Sequence, residues 1–208
     1  MNEERTFGDR VLEVIAVVLL AVSTLGTAWC GYQASQWSGV QTEYNQQETN
    51  HRLEANRQFA RAIQTFSYDS SVIAFYAQAV QAHNTRLADF YRTVMARKDL
   101  LPFLDKWEAT VRAGGTPTPL LEDPQYIGAQ AGGYQSEQEA AEQAARAAQQ
   151  AADRSQVYTL NTILLAVALF FAGVTSSFRY RSARIMLIML ALLTLAIAAT
   201  RLADLPVA

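Results

Sequence analysis

Residues 158–201 decide the fold of this chain, and they read YTLNTILLAVALFFAGVTSSFRYRSARIMLIMLALLTLAIAATR. Two apolar runs flank a short turn, and each is long enough to cross a bilayer, which takes about 20 apolar residues in a helix. The turn carries Arg179, Arg181 and Arg184 and no acidic residue. The predicted hairpin consists of a transmembrane helix at 157–178, a turn at 179–182 and a transmembrane helix at 183–201.

A third apolar run lies near the amino terminus, at residues 12–31. Its one charged residue, Glu13, lies about one turn inside the run, where a long side chain can reach the lipid headgroups. The preceding residues are not clearly basic, and no small-residue cleavage site follows the run. We therefore interpret it as an uncleaved transmembrane helix at 11–32 and not as a signal peptide.

Arginine counts at the ends of the spans predict their orientation. Two arginines precede the first span and three lie in the hairpin turn, whereas residues 33–50 contain neither Lys nor Arg. Basic residues accumulate on the cytoplasmic side of a membrane. The prediction is cytoplasmic segments at 1–10 and 179–182, an extracytoplasmic domain at 33–156 and an extracytoplasmic carboxyl terminus at 202–208.

Aromatic residues at the ends of the spans agree with this orientation, because amphipathic rings prefer the depth of the headgroups. The predicted interfacial belt comprises Trp29, Tyr32 and Tyr158 on the outer side and Phe178 and Tyr180 on the inner side.

The domain at 33–156 is predicted to be helical. Residues 33–97 contain no proline, and no glycine after Gly39, so that a helix can continue outward from the first span. Apolar residues with three–four spacing mark a stripe along it, which ends with Leu87, Tyr91 and Val94. A helix this long is expected to fold back, and residues 67–71 and 83–85 are the two candidate breakpoints.

Further helices are expected toward the second span. Asp99 is predicted to cap one of them, with Pro102 in its first turn, and Gly114 is predicted to end it. Residues 116–133 hold three prolines and three glycines and are predicted to form an irregular loop. Ser136 and Glu139 have the spacing of a capping box, which predicts that the next helix starts there.

Alanines on this last helix form stripes with heptad-like spacing. Small side chains let a neighbouring helix approach closely, so we predict a tight, partly coiled-coil-like contact. The partner is either the helix at 33–66 of the same chain or a copy from another chain. The alternative is that alanine only raises helix propensity. The predicted packing seam comprises Ala141, Ala145, Ala148 and Ala152.

The sequence shows little chemistry. Glu48 and His51 have the spacing of the Glu-x-x-His motif of di-iron bundles, but such sites need a second copy, and Val80 lies three residues before His83. There is no phosphate-binding loop and no set of nucleophile, base and orienting residue. We therefore expect no catalysis, no cofactor and no metal. A net charge of −2 argues against nucleic acid as a partner.

Uncharged polar residues inside the spans leave two functions open. Each is costly in hydrocarbon, so it is expected either to join helices or to line a pore, and we favour the first. Asn161 is the best candidate for a bond between helices. The residues concerned are Thr24, Thr27, Asn161 and Thr162.

Several short segments resemble one known family. GTAWCGYQASQWSG at 26–39 resembles the first-span signature of a family of small bacterial three-span membrane proteins of unassigned function. LADFYR at 87–92, PFLDKW at 102–107, ALFFAG at 168–173 and the closing LPV also look similar. The resemblance implies a bacterial plasma membrane and the same three-span plan, and it implies no activity. Cys30 stands where the family has a small, serine-like residue, which argues against a special role for the thiol.

The sequence thus predicts an all-α integral membrane protein, and the resemblance implies that its membrane is the bacterial plasma (inner) membrane. It has three transmembrane helices and a helical, partly coiled-coil-like extracytoplasmic domain. We expect a non-enzymatic structural or interaction protein that contacts the lipid bilayer and forms a homo-oligomer, with another envelope protein as a further candidate partner. The alternative is a subunit of a homo-oligomeric pore or channel.

Overall fold

The computed structural model describes residues 7–178, 180–203 and 205–207, without the side chains of Phe7 and Asp9. Parts of three predicted segments lie outside the described residues: 1–6 of the amino-terminal segment, Arg179 of the turn, and Asp204 and Ala208 of the carboxyl-terminal segment.

Every regular element in the described ranges is a helix, and three of the helices, α1, α4 and α5, are long and apolar enough to cross a membrane. The predicted all-α fold with three candidate spans is therefore confirmed. The α-helices are α1 (Phe7–Gln81), α2 (Thr85–Phe90), α3 (Leu101–Arg112), α4 (Pro124–Val174) and α5 (Arg181–Leu202). A π-helical turn (Tyr91–Met95) and three 3₁₀ turns (Lys98–Leu100, Leu120–Glu122 and Thr175–Ser177) lie between them.

The chain divides into two compact units. The first unit comprises Met1–Gln46 and Ala144–Ala208, and the second comprises Gln47–Gln143.

Helices α1 and α4 run antiparallel in the first unit. A Cβ atom on Gly26 would lie 3.0 Å from Cδ1 of Leu165, and further along α1 the Ser155 hydroxyl donates a hydrogen bond to the carbonyl of Ala34 at 2.9 Å. Residue numbers therefore rise along one helix as they fall along the other. The buried residues of this unit include many small ones, which let helices approach closely. Its two clusters contain Cys30, Trp37, Ala151, Tyr158, Leu165 and Ala198, and Leu19, Ala172, Ile188 and Ala191.

The two ends of the first unit hold different segments. At one end Gly8 lies so close to Arg181 that a Cβ atom on Gly8 would be 2.7 Å from its guanidinium. At the other end the carbonyl of Pro206 accepts hydrogen bonds from Trp37 Nε1 at 3.3 Å and from the Tyr158 hydroxyl at 3.2 Å. The start of α1 and the segment after α5 therefore lie at opposite ends, as three antiparallel helices require.

In the second unit α1 ends where one of the two candidate breakpoints was predicted. His83 adopts a left-handed backbone conformation with φ 55°, and the Asn84 side chain accepts a hydrogen bond from the Leu87 N–H, which caps α2. The prediction at 83–85 is thus confirmed, whereas residues 67–71 are helical.

The predicted cap of α3 is wrong. Leu100 occupies the N-cap position after a 3₁₀ turn, and the Asp99 carboxylate lies 3.5 Å from Nη1 of Arg97. The other two predictions for this helix are confirmed, because Pro102 lies in its first turn and Gly114, with φ 76°, follows its end.

The predicted start of α4 is also wrong. Asp123 Oδ1 accepts hydrogen bonds from the N–H groups of Gln125 and Tyr126, so α4 starts at Pro124, and its first ten residues had been predicted as loop. Ser136 lies inside the helix, and its hydroxyl donates to the carbonyl of Gly133 at 3.0 Å. The capping-box spacing is therefore coincidental here.

Gly26 and Gly31 provide a test of helix packing. Gly26→Ile forces a branched side chain against Leu165, and overpacking of this kind costs about 2 kcal/mol. Gly31→Ile is the matched control, because a Cβ atom there would have no described atom within 4 Å apart from its chain neighbours and the backbone of its own helix. We expect thermal denaturation in mild detergent to show a lower melting temperature for Gly26→Ile only. Equal melting temperatures for the two variants would contradict the packing.

Candidate functional site

A buried carboxylate joins three segments of the second unit. Asp69 is fully buried and accepts two hydrogen bonds from Arg97, from Nε at 3.1 Å and from Nη2 at 2.8 Å. The Tyr126 hydroxyl donates a third hydrogen bond at 2.8 Å. A bidentate guanidinium and a phenol together satisfy an ionised carboxylate.

The charge states of this cluster are fixed by its surroundings. Burial, and then the hydrogen bond to Asp69, raise the pKa of the Tyr126 phenol. The hydrogen bond to Asp69 raises the pKa of Arg97. Both donors therefore keep their protons at neutral pH. The cluster links α1, α4 and the segment that precedes α3.

A second polar cluster surrounds Arg92. Its guanidinium donates to Glu108 Oε1 at 2.6 Å and also to Asp105, and the Tyr76 hydroxyl donates to the same Glu108 oxygen. The hydrogen bond to Asp105 raises the pKa of Arg92, so the cation is retained. Each acid faces a cation, which makes the cluster a link between helices and a poor general acid–base site.

The Glu48-x-x-His51 spacing does not form a site. His51 Nδ1 lies 2.7 Å from Glu137 Oε2, and Glu48 pairs with Arg52 at 2.7 Å. His51 of α1 therefore pairs with an acidic residue of α4 and not with Glu48. Within the described part of the chain, no group of three or more His, Cys, Asp and Glu side chains could hold a metal ion.

Large apolar side chains are exposed beside the Arg92 cluster. Phe75 stacks on Tyr91 with ring centroids 5.7 Å apart, and Phe90 packs edge-on against the same ring at 5.8 Å. Phe75 is 51% exposed and Val94 is 64% exposed. The π-helical turn at Tyr91–Met95 carries part of this surface, and such turns often occur at functional sites. We call this surface the apolar patch; it comprises Phe75, Leu87, Phe90, Tyr91 and Val94.

The polar residues of the spans differ in how they are satisfied. The hydroxyls of Thr24, Thr27 and Thr162 donate to carbonyls four residues earlier in their own helices, at 2.7, 2.7 and 3.0 Å. Asn161 is fully buried, and among the residues that the structure describes neither its Oδ1 nor its Nδ2 has a hydrogen-bond partner. The predicted bond between helices is therefore not formed among the described residues.

The predicted interfacial belt divides into exposed and buried rings. Trp29 and Tyr32 are exposed, with ring centroids 6.1 Å apart, and Phe178 and Tyr180 are exposed as well. Tyr158 is only 2% exposed and lies in the core, because its hydroxyl reaches the Pro206 carbonyl. This ring therefore does not lie on the surface that would face lipid.

The predicted alanine seam is partly buried. Ala141 and Ala148 are buried, whereas Ala145 and Ala152 are half-buried. Ala144 and Ala151, which belong to the parallel stripe, are buried too, and Ala151 belongs to the same core cluster as Cys30 and Trp37 of α1. In the first unit the neighbour of this helix is therefore α1 of the same chain.

Asp69 as a site residue and Asp123 as a helix cap were missed at the sequence level, although the chain holds a signal for each role. Asp69 lies between Phe66 and Ile73 on the apolar stripe of α1, where an acid indicates a buried partner. Asp123 directly precedes Pro124, and this order is typical of a helix start.

Comparisons of this chain with family models, with curated proteins and with solved structures return no match. The resemblance of residues 26–39 to a bacterial three-span family therefore stays a prediction. The surfaces described above are the basis for the function proposed below.

Asn161 provides a test of the membrane core. Asn161→Leu replaces a buried amide by an apolar side chain of similar size, which removes the cost of an unsatisfied polar group. We expect the melting temperature in detergent to stay equal or to rise. A rise would correspond to a gain of about 1–2 kcal/mol in the free energy of unfolding. Thr162→Val is the control at the next position. A loss of stability with Asn161→Leu alone would show that the amide has a partner and would contradict this assignment.

Proposed function

We propose that this chain is a non-enzymatic, membrane-anchored interaction protein of the bacterial plasma membrane that forms a homo-oligomer. Its amino terminus and hairpin turn lie in the cytoplasm, and residues 33–156 lie outside. The single observation that carries this proposal is the exposed apolar patch of the second unit.

The patch has the composition of a protein contact. Three aromatic rings pack on one another, and two exposed aliphatic side chains lie within one helical turn of them along the chain, on a surface that the proposed orientation places in water. Contiguous apolar surface of this kind usually marks a contact with another protein or with a membrane. Aromatic residues are also enriched at the centres of protein interfaces.

A second copy of the chain suits the patch for two reasons. A two-fold contact brings the same surface together from both subunits, and an uncharged surface does not repel itself. Arg92, which follows Tyr91 in the chain, is already paired with Asp105 and Glu108, and the nearby Arg86 and Asp89 are of opposite charge. An envelope protein that buries the same patch is the competing partner, and it would leave the purified chain monomeric.

The spans are better suited to anchoring and assembly than to a pore. Asn161 is buried inside its own bundle, and Thr24, Thr27 and Thr162 bond to their own helices. A pore would instead require these groups to face a space shared between subunits. The burial of Ala151 in one core cluster with Cys30 and Trp37 of α1 supports a stalk that is held together within one chain.

The orientation can be tested by cysteine labelling. In a Cys30→Ser background, Arg86→Cys places a thiol at an exposed position of the second unit, and Ser182→Cys places one at the hairpin turn. A membrane-impermeant maleimide applied to intact spheroplasts is expected to label only the first variant, and both after lysis. Labelling of Ser182→Cys alone in intact cells would reverse the topology and contradict the proposal.

Self-association through the patch can be tested by mass measurement. We expect the wild-type chain to be an oligomer by mass photometry in mild detergent. Val94→Glu places like charges across a two-fold contact and should shift the population toward the monomer by at least tenfold in dissociation constant. Val111→Glu on α3 is the control, because its side chain is also exposed but lies outside the patch.

Two outcomes would contradict this proposal. One is a wild-type monomer at every concentration, which would favour a different partner. The other is an equal effect of Val94→Glu and Val111→Glu, with unchanged circular dichroism for both variants, which would place the contact elsewhere.

A further inference from the structure

A cavity of about 360 Å³ lies within the second unit, between α1, α3 and the segment that precedes α4. Its volume falls in the range of small-molecule sites, which begins at about 300 Å³. The lining is mostly apolar, with a lysine and an aspartate at the side where α4 begins. The main apolar lining residues are Phe66, Ile73, Phe103, Trp107, Leu120 and Leu121.

Two aromatic side chains that line the cavity pack against tyrosine rings outside the lining. The ring of Trp107 packs edge-on against Tyr76 with centroids 6.0 Å apart, and the ring of Phe103 packs perpendicular to Tyr126 at 5.1 Å. Tyr126 is in turn fixed by its hydrogen bond to Asp69. The walls are therefore pre-formed, so that a ligand need not order them on binding.

Of the two charged residues that line the cavity, the lysine is the exposed one. The Lys106 side chain is 60% exposed, whereas the side chain of its partner Asp123 is only 6% exposed. Lys106 Nζ donates to Asp123 Oδ2 at 2.5 Å, and an ammonium group has two further donors.

Asp123 does not depend on this lysine alone. Its other oxygen accepts the N–H groups of Gln125 and Tyr126 at the start of α4. The hydrogen bond from Lys106 lowers the pKa of Asp123, with these backbone groups as further causes. Lys106 can therefore donate a hydrogen bond to a ligand, while the two backbone N–H groups continue to stabilise the Asp123 carboxylate.

We propose that this cavity binds a small carboxylic acid with an aromatic or alkyl body, whose apolar part fills the space between Phe66, Phe103 and Trp107 and whose carboxylate binds Lys106. An apolar cavity of about 150 Å³ holds one benzene molecule, so this one accommodates a body of roughly twelve carbon atoms. The site is separate from the apolar patch and does not depend on self-association.

The proposal is tested with the full chain in phosphatidylcholine nanodiscs. The probe is 1-naphthaleneacetate, and the matched neutral compound is 2-(1-naphthyl)ethanol; empty nanodiscs correct for partition into lipid. Isothermal titration calorimetry is expected to show saturable binding of the acid with one site per chain. The alcohol, and the acid with Lys106→Met, should each bind about tenfold more weakly, because each lacks the charge-assisted hydrogen bond.

Filling variants locate the site. Ala74→Trp adds a large side chain at the lining and should abolish binding, whereas Ala109→Trp, at an exposed alanine of α3 outside the lining, should leave it unchanged. Thr118→Trp adds a large side chain from the segment between α3 and α4. It serves as a second filling variant if Ala74→Trp alters the circular dichroism.

Three results would overturn the proposal. Absence of saturable binding at millimolar concentrations of the probe would show that the cavity does not bind such an acid. Equal affinity for the acid and the alcohol, with no effect of Lys106→Met, would overturn the assignment of a carboxylate. Equal binding to Ala109→Trp and to the filling variants would place the ligand elsewhere. None of these measurements depends on the oligomeric mass, so failure here is distinguishable from failure of the proposed self-association.

Discussion

The first unit depends on the close approach of helices that carry small side chains at their contacts. In hydrocarbon every peptide group must find its hydrogen bond within the protein, and a helix provides these bonds within its own segment, which suits the three candidate spans. Lipid tails are as apolar as leucine, and helices therefore associate through close packing and not through burial from water. Gly26 against Leu165, together with the buried Ala151 and Ala198, provides that packing.

The second unit is stabilised by different chemistry. Asp69 lies at a core position and is compensated by Arg97 and Tyr126, whose positions in the sequence are 28 and 57 residues away. A buried ion pair contributes little net stability compared with apolar packing, but an unmatched charge at that site is strongly destabilising. The cluster therefore selects one arrangement of its segments, and the same arrangement supports the aromatic walls of the cavity.

The spans were predictable from the sequence because hydropathy is a local property of about 20 residues. The end of α1 near His83 was also predictable, because Asn84 is a favourable N-cap residue for the next helix. Long-range contacts were not, and the Asp69 cluster is the main example. Hydropathy also does not tell which side of a span faces its neighbours, and Tyr158, which was predicted as part of the outer interfacial belt, lies in the core. Leu87 and Val94 were recognised as an apolar stripe, but their exposure became evident only from the structure.

The hydrogen bonds to the Pro206 carbonyl determine which substitutions and deletions the segment after α5 tolerates. The acceptor that Trp37 and Tyr158 share is a main-chain atom, which every amino acid supplies. Replacing the side chain at 206 therefore leaves both hydrogen bonds available, whereas deleting a residue between α5 and 206 moves the acceptor out of reach. The constraint on this segment is therefore its length, and a comparison of aligned letters would overlook it.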